Sequence, residues 1–313
     1  MFEKMKGMIP PVITPLKEDE SIDEEGLRTV VDFLVNLGVS GIFVLGTAGE
    51  TAYMNLEERF QIAQTVRDQA SSRVPLLMGL SDPSLVNSLK LLKHGMDIGV
   101  DGFVATLPQY FQLDSGQIKT YFTEIEKYCE EKPFFAYEVS EVVPTTARLT
   151  PKLVIELANE GIINGLKYSG VMWEDYTLLL FEGLNNRENF RLFAGSEIVT
   201  RKIWEAGLKF DGGIYSGLNV FPRIYVDLYN AIQAKDKEKL ARIFPLLFQC
   251  GGIFGTVGSS GGPSLIKEML KELGLPISTK VRSPLPTIKS HIFKKIKNLF
   301  DTLTNEGYLD KYK

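Results

Sequence analysis

Histidine, cysteine and tryptophan are almost missing from this chain, with two of each in 313 residues. Two cysteines, Cys129 and Cys250, cannot build a disulfide framework, and neither has a CxxC or histidine partner spacing. His94 and His291 are far apart in sequence, and neither falls in a metal-ligand pattern, so no metal is expected. No apolar stretch approaches the ~20 residues that a spanning helix needs. Residues 1–11 lack the long apolar core and cleavage site of a signal peptide. An excess of positive charge is also missing: 35 basic residues stand against 39 acidic ones, a net charge of -4. That balance offers no footprint for nucleic acid. The cluster Lys294, Lys295 and Lys297 falls on an amphipathic C-terminal segment and reads as a solvated face. The expectation is a reduced, cytoplasmic protein with neither nucleic acid nor membrane as partner.

What the chain does have is one grammar, repeated. A short apolar run gives way to a polar or glycine turn, then an amphipathic segment, a closing glycine and a new apolar run. The strand candidates are residues 12–14, 42–46, 76–79, 102–106, 134–138, 162–167, 191–194 and 212–216. Their spacing of roughly thirty residues is that of a strand-helix-strand unit. After Asp23, residues Leu27, Val30, Val31, Leu34 and Val35 recur at helical spacing. Asn55 with Glu58 resembles a capping pair. Asp82-Pro83 and Thr150-Pro151 each place a cap residue before a proline at the first helical position. Gly38, Gly99, Gly161 and Gly207 stand where a left-handed helix cap favours glycine. Eight such units predict a (β/α)8 barrel over residues 1–221. Residues 222–313 read as a helical extension without a convincing strand.

Unusual side chains gather where these strands end, the face on which such barrels do chemistry. Gly46-Thr47-Ala48-Gly49-Glu50 follows the second strand, Gln109-Tyr110 the fourth, and Tyr137 closes the fifth. Lys167 closes the sixth, Gly195-Ser196 follows the seventh and Ser216-Gly217 the eighth. Burying an unpaired ammonium is costly, so a lysine ending an apolar strand is paired, deprotonated or functional. An unperturbed lysine, with a pKa of about 10.4, is neutral roughly 0.04% of the time at pH 7. Lowering that pKa to about 8 makes roughly 10% neutral, enough to attack a ketone. On its own the segment also fits a lysine that snorkels to the surface. The loop Gly46, Thr47, Ala48, Gly49 lets backbone N–H groups approach an anion. It lacks the GxGxxG dinucleotide pattern.

Thr14-Pro15, Gly46-Thr47-Ala48-Gly49-Glu50, Tyr137, Gly165-Leu166-Lys167 and Gly212-Gly213-Ile214-Tyr215-Ser216-Gly217-Leu218-Asn219-Val220 occur together, in order. In this combination the chain resembles the pyruvate-dependent Schiff-base aldolase family of dihydrodipicolinate synthase, N-acetylneuraminate lyase and 2-keto-3-deoxygluconate aldolase. The resemblance runs into the tail, through Leu265-Ile266-Lys267, Leu273-Gly274-Leu275 and Pro284-Leu285-Pro286. It implies that neutral Lys167 attacks the C2 ketone of pyruvate or of a 2-keto-3-deoxy acid, with no separate cofactor. Tyr137 is then the general acid/base. Thr47 and the N–H groups of Gly46, Ala48 and Gly49 hold the substrate carboxylate. Gly195, Tyr168, Tyr215 and Ser216 line the site. Tyr110 matches the family tyrosine that reaches into a neighbour's site, which implies a homodimer or homotetramer.

Several positions depart from the family pattern. Ala48 stands where a hydroxyl residue or asparagine is usual, and Gln109 where a second aromatic is common. After Tyr137 the synthases carry an arginine that binds the acceptor's carboxylate. Here the stretch reads Glu138-Val139-Ser140-Glu141-Val142-Val143-Pro144-Thr145-Thr146, without it, and Arg148 falls past that position. Tyr168-Ser169 replaces the synthases' acidic residue, and Tyr215 the usual small aliphatic. Losing an arginine and gaining two carboxylates disfavours a charged acceptor. The expectation is a neutral, glyceraldehyde-like aldehyde, hence a 2-keto-3-deoxy sugar acid aldolase rather than dihydrodipicolinate synthase or N-acetylneuraminate lyase. Ala48 and the altered loop give some support to a non-catalytic pyruvate-binding homologue. A nucleotide-binding oxidoreductase built on Gly46 and Gly49 lacks both the third glycine and an acidic ribose partner.

Overall fold

A computed structural model describes residues 2–139, 147–170, 172–181, 183–184, 187–309 and 312. Strands and helices alternate through most of it. β1 (Gly7–Met8), α1 (Glu24–Asn36), β2 (Ile42–Val44), α2 (Leu56–Ala70), β3 (Leu76–Gly79), α3 (Leu85–Asp97), β4 (Gly102–Ala105) and α4 (Ser115–Glu126) come first. β5 (Phe134–Glu138), α5 (Pro151–Asn159), β6 (Gly165–Tyr168), α6 (Trp173–Phe181), β7 (Arg191–Ala194), α7 (Glu197–Glu205) and β8 (Gly212–Gly213) follow. The chain then runs through α8 (Pro222–Ala234), α9 (Lys237–Gly255), α10 (Gly258–Glu272) and α11 (Ser290–Asn305).

Local chemistry sets many of these boundaries. The Asp23 carboxylate accepts the Gly26 N–H at 3.0 Å and starts α1. Asn55 and Glu58 form a reciprocal capping box, 2.9 Å each way, and start α2. Thr150 caps α5 with Pro151 in its first turn. Gly38, Gly99, Gly161 and Gly207 follow their helices with φ of 83°, 72°, 74° and 65°, where a Cβ is disfavoured. Asp82 plays a different part from the expected cap. Ser84 takes that position, and Asp82 Oδ1 accepts the Ser84 N–H at 2.9 Å in a turn before α3. The first strand also lies earlier than residues 12–14. Pro10 and Pro11 donate no ladder hydrogen bonds, so beyond β1 the pairing is reduced to a parallel bridge from Pro11 to Phe43. β6 begins at Gly165 rather than 162, and β8 ends at Gly213 rather than 216.

The sheet has the order β1-β8-β7-β6-β5-β4-β3-β2. The ends of that order meet, since Val12 N–H donates to the Phe43 carbonyl at 2.9 Å and Phe43 N–H to that of Pro10. With helices between parallel strands, this is a (β/α)8 barrel with a helical C-terminal extension. No single helix among the described residues is long and apolar enough to cross a membrane.

The chain divides into two compact units, Met1–Lys6 with Pro75–Ile214 and Gly7–Val74 with Tyr215–Lys313. In the first, β3 to β8 pair in parallel, with Phe103 opposite Phe134, Tyr137 opposite Lys167 and Lys167 opposite Phe193. Phe135 lies 5.6 Å from Phe193 and stacks on Phe2 at 6.5 Å. Gly165 permits the close packing, because a Cβ there would come within 2.4 Å of the Arg191 carbonyl and 2.6 Å of the Phe135 ring. In the second unit, buried Asn219 bonds the Ile13 N–H at 3.2 Å and the carbonyls of Pro11 and Ser216 at 2.9 and 3.1 Å. Tyr215 stacks on Tyr225 of α8 at 5.1 Å.

Candidate active site

Lys167 is the third residue of β6, buried to 3% exposure among apolar neighbours. Side chains on a strand alternate between faces, so Lys167 and its register partner Tyr137 share one face. Lys167 Nζ lies 3.8 Å from the centroid of the Tyr137 ring. Burial pulls the lysine pKa below its ordinary value, and the charge interaction and hydrogen bond with Tyr137 oppose that shift in part. A desolvated amine beside a phenol can attack a carbonyl while the phenol moves the protons. The amine does not reach solvent by snorkelling.

The loop after β2 belongs to the second unit. Thr47–Gly49 is a single 3-10 turn between two left-handed non-glycine residues, Leu45 at φ 60° and Glu50 at φ 59°. Each costs about 1–3 kcal/mol and persists only where its surroundings hold it. The N–H groups of Gly49 and Glu50 are spent on the carbonyls of Gly46 and Thr47, both at 3.1 Å. Those of Thr47 and Ala48 come first in the turn and have no acceptor within it. From Leu45 to Glu50, Thr47 alone is exposed. Gly49 is pressed close, since a Cβ would lie 3.0 Å from the Val12 carbonyl, and the Thr14 hydroxyl donates to the Gly49 carbonyl at 2.8 Å.

The remaining expected residues fall into two groups. Gly195 is close to the end of β6: its N–H donates to the Tyr168 carbonyl at 2.8 Å, and a Cβ would come within 2.4 Å of Ser169 Oγ. Ser216 is exposed at the start of the 3-10 segment Ser216–Asn219. Tyr110 is 82% exposed, with φ at 95°, and meets Phe111 edge-on at 5.0 Å. Tyr168, by contrast, follows Lys167 and so faces the other side of the sheet. Its hydroxyl donates to the Met172 carbonyl at 3.0 Å and its ring packs on Tyr176. Tyr215 is buried against Tyr225. Glu138 shares the Tyr168 face and accepts the Leu149 N–H at 2.7 Å, so this carboxylate is turned away from the face of Lys167. Glu141 and the rest of residues 140–146 lie outside the described residues. Arg148 pairs with Asp175. Among the described residues no group of three or more histidine, cysteine or carboxylate side chains is arranged to hold a metal.

One cluster escaped the sequence reading. Glu50 and Lys267 form an ion pair at 2.5 Å with both side chains fully buried. Lys267 Nζ also donates to the Lys280 carbonyl at 2.6 Å, and Glu50 Oε2 accepts the Arg282 N–H at 2.7 Å. The cue was available, because Glu50 ends the glycine loop and Lys267 lies in the tail motif. Nothing in the sequence alone joins them.

The sequence model of the dihydrodipicolinate synthetase family matches residues 4–303. The chain is 30% identical over 310 residues to an Escherichia coli K12 protein named probable 2-dehydro-3-deoxy-D-pentonate aldolase YjhH, covering 98% of this chain and 99% of that one. YagE of E. coli K12, a prophage protein of the dihydrodipicolinic acid synthase family solved in complex with pyruvate, superposes with a TM-score of 0.88. It is 27% identical, with 96% of this chain and 98% of that one covered. The dihydrodipicolinate synthase of Bacteroides thetaiotaomicron gives a TM-score of 0.85 at 28% identity, covering 96% and 99%. The chain belongs to the dihydrodipicolinate synthetase family. It is a class I carbon–carbon lyase, whose covalent imine on lysine serves in place of an organic cofactor.

Proposed function

We propose that Lys167 forms the imine and that the reaction joins or separates pyruvate and a neutral aldehyde, as in a 2-keto-3-deoxy sugar acid aldolase. The buried amine of Lys167 in register with Tyr137 carries the imine, and the neutral aldehyde rests on the likeness to YjhH. Neutral Lys167 adds to the C2 ketone of the keto acid, and Tyr137 gives its proton to the carbinolamine hydroxyl, which leaves as water, so that a protonated imine stands beside the Tyr137 phenolate. Tyr137 takes the proton from the C4 hydroxyl as the C3–C4 bond breaks. The bonding pair flows into the iminium, leaving an enamine, and the aldehyde departs. Protonation at C3 and hydrolysis then return pyruvate and free Lys167. Condensation is the same path reversed. The Thr47 hydroxyl and the N–H groups of Thr47 and Ala48, which the turn leaves unspent, are assigned to the carboxylate, and Gly46, Gly49, Gly195 and Ser216 are further candidates for substrate contact. Exposed Tyr110 fits a contact in a homodimer or homotetramer, and two buried cysteines that form no disulfide fit a reducing cytoplasm.

The pyruvate complex of YagE and the name carried by YjhH support the two halves of the substrate. A second reading, condensation with aspartate semialdehyde, is favoured by the likeness to the Bacteroides synthase. Glu138 does not argue against it, since that carboxylate is occupied by Leu149. Steady-state rates with pyruvate and either glyceraldehyde or aspartate semialdehyde separate the two. Faster turnover of glyceraldehyde is expected; a clear preference for aspartate semialdehyde overturns the neutral-acceptor reading.

A further inference from the structure

The turn that presents Thr47 is left-handed at both ends, so something must hold it. Its downstream end, Glu50, reaches a fully buried ammonium, Lys267 of α10, at 2.5 Å. The other oxygen of the same carboxylate takes the backbone N–H of Arg282 at 2.7 Å. Lys267 binds the Lys280 carbonyl at 2.6 Å, so both charges grip the same C-terminal strap, residues 280–282. The Arg282 side chain closes the arrangement. Its guanidinium donates to Glu58 at 2.7 Å on α2 and to the Glu20 carbonyl at 3.0 Å. A buried ion pair is a poor source of net stability, because desolvating both charges offsets their attraction. Burial indeed lowers the Lys267 pKa, while Glu50 acts to raise it. What a pair offers here, and an apolar contact does not, is directional hold on the peptide that follows Gly49.

We propose that Glu50 and Lys267 are positioning residues, whose ion pair fixes the Thr47 turn against the 280–282 strap and thereby sets affinity for the keto acid's carboxylate. This rests on the reading that the turn holds that carboxylate, and the two can fail separately. The test compares Glu50→Gln, Lys267→Met, the double variant and Thr47→Val. Pyruvate KM, kcat and Tm are the readouts. Each single variant is expected to raise pyruvate KM by about tenfold or more, with kcat changed far less. The single variants also leave one buried charge alone and lose Tm. The double variant removes both charges, regains Tm and keeps the raised KM. A double variant with both Tm and KM of the wild type overturns the proposal, because packing alone would then suffice. Raised KM in Thr47→Val beside unchanged KM in the Glu50 and Lys267 variants overturns it too, leaving the carboxylate reading intact. Unchanged KM in Thr47→Val overturns that reading and this proposal with it.

Discussion

Lys167 and Lys267 are both removed from water, yet what surrounds them assigns them opposite work. Lys267 meets a carboxylate at 2.5 Å and a backbone carbonyl at 2.6 Å. Such partners favour the ammonium, which can bind but cannot attack. Lys167 meets the ring and hydroxyl of Tyr137, with Phe193 beside it on the next strand. Burial lowers the pKa of both, but the Glu50 carboxylate stands against that shift only at Lys267. A buried lysine becomes a nucleophile or a strut according to its neighbours, and burial alone does not decide which.

The contrast is broken most severely by Lys167→Ala. Removing the nucleophile is expected to lower kcat by at least ~10^4-fold in a steady-state assay, with the fold intact by circular dichroism. Tyr137→Phe keeps the ring over the amine but removes the proton carrier. A fall in kcat of roughly 10^2–10^4-fold is expected from the same assay, with a smaller change in KM. The next effect is on stability. In the folded protein Lys167 gives up its proton at a lower pH than in the unfolded chain, so its charge opposes folding wherever the unfolded chain carries it. That penalty is greatest below the lowered pKa, shrinks as pH rises through it and vanishes above the ordinary value of 10.5. Lys167→Met is therefore expected to be inactive but more stable at neutral pH, with Tm raised by about 2–4 °C for each kcal/mol relieved. The gain should fade as thermal melts are repeated toward pH 10. Tyr168→Phe should do least. Its hydroxyl serves the Met172 carbonyl on the far face, so loss of about 1 kcal/mol of stability is expected in denaturant melts, with kcat near wild type.

The Lys167 half of this comparison was legible in the sequence, and the Lys267 half was not. The Ile162-Ile163-Asn164-Gly165-Leu166-Lys167 run announces a buried strand ending on an amine, and periodicity placed the strands at 76, 102, 134 and 191 where they are. Faces were harder. Tyr168 and Glu138 stand next to the reacting residues in sequence, but alternation along a strand sends them to the other side. Prolines 10 and 11 disguised β1, since a strand with missing donors has no regular ladder to signal. Asp82 bonds the N–H of Ser84, a use of its side chain that mimics a helix cap in sequence. The pair Glu50–Lys267 depends on the tertiary fold, with no local pattern linking a loop after the second strand to a helix near the C-terminus.

Borohydride traps an imine on the lysine that formed it. The protein is incubated with pyruvate and sodium borohydride, digested and mapped by mass spectrometry at both lysines. A reduced pyruvyl adduct on the peptide carrying Lys167, absent from the peptide carrying Lys267 and lost in Lys167→Ala, is the expected result. An adduct on Lys267, or none on a folded protein, would contradict the assignment of Lys167 as the Schiff-base nucleophile.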